Sequence, residues 1–276
     1  MISAVAAWRS KEPMKTILRS RGMLVGVLLL LVMGASVRGT QFAAITAKRA
    51  PPRGGQTLSL KAFLAKYDLS HLWTTTDSSE IFGFIGAGYQ RLQIHFLSVT
   101  KSQNNAGVYL VEGKTLVRNR VRRFRGEIVV ESVAVFPSPS KEDDVWEKGL
   151  TEGTISGRYL FKQNPKQEAT GVFKGKLKTY YYTDRHGPIH YDDIEAGADG
   201  YTNNDFVGIW KSYRGDRMEK CNWGDYRAPD SGDLDIGAGD FFPNDQYIKN
   251  GWQSFVAEQE EVGRTGGNVE KNKWWK

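Results

Sequence analysis

The hydrophobic pattern of the chain changes its period along its length. From Met23 to Met33 the residues are almost all apolar. Between Leu58 and Leu72, the residues Leu60, Phe63, Leu64, Tyr67 and Leu69 recur three or four apart or close to it, which predicts a short amphipathic helix. Ser59 stands where its N-cap belongs. From Ile81 onward the period is two. Leu92, Ile94 and Phe96 alternate with Gln93 and His95, and Ile155, Gly157, Tyr159 and Phe161 share one face. Phe173, Leu177 and Tyr181 alternate with Lys174, Lys176 and Lys178. Such alternation belongs to antiparallel strands with one wet face. Asn104-Asn105, Glu112-Gly113, Pro137 to Pro139, Asn164-Pro165 and His186-Gly187-Pro188 read as the connections.

The expected fold is therefore all-β: an antiparallel meander closing toward a barrel or a two-sheet sandwich, with one short N-terminal helix. Gly157 and Gly175 inside strands mark the bends that a closing sheet needs. Two further short strands, Phe206–Tyr213 and Lys220–Tyr226, lead into a long loop rich in Gly, Asp and aromatic residues. One β-rich domain is expected over 58–257. A flexible linker at 40–57, broken by Pro51, Pro52, Gly54 and Gly55, precedes it, and a loose charged tail at 258–276 follows.

The apolar run at Met23–Met33 follows Lys15, Arg19 and Arg21 and ends in Gly34, Ala35 and Ser36. That order is the order of a secretory signal peptide, with a cut expected after Gly39. The signal reads best from Met14, which makes residues 1–13 an upstream extension. The run is too short for a bilayer, which takes about 20 residues, so no permanent membrane span is expected after cleavage. The chain is thus expected to be exported, to the periplasm or outside the cell. Removing 1–39 takes away six of the basic residues and one acid, so the net charge falls from +7 to about +2. The case for a nucleic-acid partner falls with it. Cys221 is the one cysteine, so no internal disulfide forms, and His71, His95, His186 and His190 lie too far apart for a zinc spacing.

Candidate chemistry gathers near the C-terminus. Trp210, Trp223, Asp225, Tyr226 and Arg227 combine aromatic faces with charge, as a ligand site does. Asp233, Asp235 and Asp240 surround Gly237 and offer alternate oxygen ligands, which makes calcium the one cofactor to consider. The glycine falls early and the closing Glu of an EF-hand loop is missing. The competing reading makes these aspartates turn-formers beside their glycines. Paired carboxylates among Asp225, Asp235 and Asp240 would also serve glycan hydrolysis. Cys221 has no histidine nearby in sequence and reads as a buried structural thiol. Arg118, Arg120 and Arg122 share one strand face, where they could meet phosphate, anionic lipid or acidic glycan. Pairing with the acidic C-terminal loop is the favoured alternative.

The segments GTISGRYLF at 153–161, GVFKG at 171–175, DGYTNN at 199–204, FVGIW at 206–210 and CNWGDYRAPDSGDLDIGAGDFFP from Cys221 onward make the chain similar to a group of uncharacterised exported β-rich proteins of Gram-negative bacteria. The resemblance covers roughly residues 75–252. It implies export and a shared β fold and no reaction. The expectation for function is an exported, non-enzymatic binding or structural protein, with no catalytic residue assigned. The alternatives are an exported hydrolase acting on glycans and a small calycin-like barrel holding an apolar ligand.

Overall fold

Alternating strands that pair only with their sequence neighbours must either end in open edges or close on themselves, and here they close. The computed structural model describes residues 55–137, 149–184, 187–265 and 273–276. The expected leader, its cut after Gly39 and nearly all of the linker lie outside the described residues. The strands are β1 (Gln56–Thr57), β2 (Ile81–Ile85), β3 (Gln90–Lys101), β4 (Val108–Val117), β5 (Arg120–Val135), β6 (Thr151–Gln163), β7 (Gly171–Thr183), β8 (Ile189–Tyr191), β9 (Asn203–Ser212) and β10 (Met218–Asp225). Eight of them form an antiparallel closed barrel in which each strand from β2 onward pairs with the next, β8 excepted, and β10 returns to β2. β1 and β8 are short additions to the far ends of β5 and β7. Closure leaves the eight strands no long unpaired edge.

Parity sorts the side chains. On β6 the odd positions Ile155, Tyr159 and Phe161 point inward, and on β9 Phe206 and Trp210 do. Aromatic rings fill the middle of the barrel. Trp223 stacks on Phe206 at 4.8 Å, Tyr159 meets Trp223 edge-on at 5.0 Å, and Phe124 stacks on Phe161 at 5.0 Å. Such large side chains fit because glycines face them. A Cβ on Gly113 would lie 2.3 Å from the Phe124 ring, and one on Gly208 would lie 2.6 Å from the Tyr159 hydroxyl. Gly113 is thus a packing position inside β4, and the expected turn at Glu112-Gly113 is a strand interior. The turn falls at Arg118-Asn119, both with positive φ, the primed geometry that suits a two-residue hairpin.

The two barrel ends differ. One is capped by helix α1 (Leu60–Lys66) and the 3-10 turn Ser70–Trp73, with Leu69 and Leu72 fully buried. The Trp73 indole N–H donates to Thr179 Oγ1 at 2.9 Å, and Asn204 Nδ2 donates to the Leu72 carbonyl at 2.8 Å. The helix is shorter than the apolar spacing predicts, and Ser59 is its N-cap residue without a side-chain bond. At the other end stand the four hairpin turns β2–β3, β4–β5, β6–β7 and β9–β10, around an opening.

The C-terminal segment covers one outer wall. Phe82 and Phe84 of β2 point outward, and Leu234, Phe241, Trp252 and Phe255 bury them. Phe241 stacks on Phe82 at 4.5 Å. Charge and glycine content predict a loose tail from Glu258; helix α2 (Gln253–Thr265) takes in its first residues, and 266–272 lie outside the described residues. Beyond it the Trp275 ring stacks on His95 at 4.4 Å.

Candidate functional site

The open end of the barrel holds a cavity of about 600 Å³, within the size range of small-molecule sites. Its walls follow from the strand parity. Thr115 and Val117 of β4 and Arg120 and Arg122 of β5 point inward above the buried Phe124. Ile85, Gln163, Phe173, Trp210 and Glu219 occupy the same level on the other strands. Phe173 and Trp210 form an almost fully buried floor. Below it the aromatic core closes the barrel, with Phe173 meeting Trp223 edge-on at 6.3 Å. The cavity is therefore wide and shallow.

Four arginines line it: Arg118, Arg120, Arg122 and Arg217, against the single acid Glu219. Three of them are held through Nε. Arg118 Nε donates to Gln90 Oε1 at 2.9 Å. Arg122 donates from Nε to the Glu168 carbonyl at 3.2 Å and from a terminal nitrogen to the Val121 carbonyl at 2.9 Å. Arg217 Nε pairs with Glu219 at 2.8 Å, and its guanidinium lies 6.0 Å over the Trp210 ring. Anchoring at Nε fixes the planar fork and leaves terminal N–H groups for a ligand, which is how arginine reads carboxylate or phosphate. Among the described residues Arg120 has no acid partner.

Gln163 orders the floor. It is buried, its Nε2 donates to Thr115 Oγ1 at 3.1 Å, and its Oε1 accepts from the Gly171 amide at 2.9 Å and from the Trp210 indole at 3.2 Å. With its N–H so engaged, Trp210 offers its ring to the cavity.

The residues expected to form one ligand site are spread along the barrel axis. Trp210 lines the open end, Trp223 is fully buried in the middle, and Asp225, Tyr226 and Arg227 lie at the capped end. Asp225 is buried, and its Oδ2 accepts from Thr76 Oγ1 at 2.7 Å, Asn204 Nδ2 at 2.7 Å and Tyr191 Oη at 2.9 Å. Burial pushes its carboxyl up to about 7, against the pull of those three hydrogen bonds. Asp225 thus ties the cap to the barrel. Tyr226 takes a positive φ as the chain leaves the barrel.

Arg227 and Asp235 form a nearly buried bidentate pair at 2.8 and 3.1 Å. Arg227 also donates to the carbonyls of Gly237, Gly239 and Asp240. Asp235 Oδ1 accepts from the amides of Gly237 and Phe242, and Asp233 accepts from Gln246 Nε2 and Tyr247 Oη. The Asp-rich loop is thus knitted around one guanidinium. Among the described residues no group of three or more His, Cys, Asp or Glu is placed to hold a metal ion. The arginine row does not pair with this loop, as the favoured sequence reading has it, because the barrel aims the two in different directions: Arg120 and Arg122 into the open end, the loop over the outer wall. Burial raises the Cys221 thiol, which is fully enclosed.

Sequence reasoning missed Gln163, Phe173 and Arg217, and placed Arg120 and Arg122 on a wet face. A signal was present: both share the parity of Phe124, Ile128 and Val130, the inward residues of β5. No family model, curated protein or solved structure matches this chain. Among the described residues no helix is long and apolar enough to cross a membrane.

Proposed function

We propose that this chain is an exported, non-catalytic binding protein that takes an organic anion into the open end of its barrel. The ligand carries a carboxylate or phosphate on a small apolar or aromatic body. The observation behind this reading is the set of four arginines, three anchored through Nε, above the Phe173 and Trp210 floor. Export rests on the leader sequence. A calycin-like carrier of a wholly apolar ligand needs an apolar hollow, and here rings occupy that space. A glycan hydrolase needs two accessible carboxylates, whereas Asp225 is buried under hydrogen bonds and Asp235 is held by Arg227.

Isothermal titration with phenyl phosphate, phenylacetate and benzyl alcohol tests the reading. The two anions bind and the neutral alcohol does not. Arg122→Gln weakens the anions by roughly tenfold to a hundredfold, the range for a hydrogen bond to a charged group. Equal binding of the alcohol, or anion binding indifferent to Arg122, would refute the reading.

A further inference from the structure

The rim of the open end carries partly exposed apolar side chains, one of which, Tyr213, also donates its hydroxyl to the Gln163 carbonyl at 3.1 Å. Val121 stands beside Arg120 and Arg122 but points outward and is 40% exposed. Tyr213 and Met218 flank the β9–β10 turn at 38% and 53% exposure. β5 and β10 lie four strands apart in either direction round the closed ring, so these apolar groups stand on opposite sides of the mouth. Lys166 on the β6–β7 turn is exposed between them, and Lys211 and Arg214 are exposed beside the β9–β10 turn. They add to the four cavity arginines, against the acids Glu168, Asp216 and Glu219. An excess of cations with apolar groups interleaved at one end is the composition of a surface that meets anionic lipid.

We propose that the open end docks on an anionic membrane surface, with a lipid phosphate in the arginine cavity and Val121, Tyr213 and Met218 reaching the boundary between head groups and acyl chains. This rests on the reading of the cavity as an anion site. The shallowness of the cavity selects the mode. With the barrel filled below Phe173 and Trp210, the protein has no room to extract acyl chains, so the head group enters and the chains stay in the bilayer. An anionic polysaccharide would use the same arginines but gives the apolar rim nothing to cover. Each cation near an anionic surface contributes enough to change affinity about fivefold, so the cavity and rim act together.

Flotation of the exported form, from Thr40 onward and so without the basic, apolar leader, tests the inference, using vesicles of phosphatidylcholine alone and of phosphatidylcholine mixed with phosphatidylglycerol. Titration with phenyl phosphate runs beside it. The protein floats with the mixed vesicles only, and added salt releases it. The double variant Arg120→Gln/Arg122→Gln weakens vesicle binding by roughly twenty-five-fold, about fivefold for each arginine lost, and weakens phenyl phosphate as well. Met218→Ser, outside the cavity lining and neutral, keeps phenyl phosphate affinity and weakens flotation. Phenyl phosphate binding without flotation on either vesicle would overturn the docking and leave the cavity reading standing. Failure of both would overturn the two together. Equal flotation with phosphatidylcholine alone, or retention on polygalacturonate without vesicle binding, would also overturn the membrane proposal.

Discussion

A buried carboxylate gives the residue scale its sharpest consequence. Asp225 sits where the cap, β8 and β9 meet, and burial raises its carboxyl to about 7 from an ordinary 3.8. Between those values the folded protein holds a proton that the unfolded chain has released. Stability from this group is therefore full below about pH 4 and declines as the pH rises toward 7, by about 1.4 kcal/mol per unit across the window. Thermal melts between about pH 5 and 7 should show this fall, and Asp225→Asn should flatten it; an unchanged slope in the variant would exclude Asp225 as its source. The string from Asn222 to Arg227 marks an unusual place in the sequence, and it is unusual because the chain leaves the barrel there through buried polar contacts. Nothing local tells a buried polar knot from a ligand site, since both need the same side chains. Cys221 is more legible: without a nearby histidine it reads as structural, and it is fully enclosed.

At the scale of elements, the period-two pattern carries most of the information. Inward residues of β3, β6 and β7 match the alternation read from Leu92, Tyr159 and Phe173. The pattern is weaker where a strand is buried on both faces. The run Ile81–Ile85 is apolar throughout because the barrel takes Ile81 and Ile85 and the C-terminal segment takes Phe82 and Phe84. Such a run was the available sign that another element covers this strand. The turns are less legible, because Gly113 serves packing and Arg118 supplies a turn that glycine or asparagine would suit better. Arg118 is held at φ 47, where a residue other than glycine is strained. Arg118→Gly is accordingly expected to raise stability by about 0.5–1 kcal/mol in chemical denaturation while weakening anion binding. A loss of stability, or an unchanged affinity, would remove Arg118 from this account.

At the scale of the whole molecule, one closed meander produces two unlike ends. The capped end takes its shape from the N-terminal helix and from side-chain bonds to Thr179, Asn204 and Asp225. The open end is left to the hairpin turns and to whatever the inward parity puts there, and on β5 that is arginine. The barrel-or-sandwich expectation came from neighbouring strands, whereas the choice between them is made by β10 pairing with β2, a contact between distant segments on which local pattern is silent. The site was hidden for the same reason. Arg118, Gln163, Phe173 and Arg217 come together only once the ring closes.

The location of anion binding decides the account, and an amide-resolved NMR titration of the folded protein with phenyl phosphate reads it. The expected shifts gather at the open end, on Gly86, Gly88, Asn119, Ala169 and Gly171 and on the side-chain Nε–H groups of Arg118 and Arg122. Shifts centred instead on Thr76, Asn204 and Asp225 at the capped end, or on the loop from Ala228 to Asn244, would contradict it.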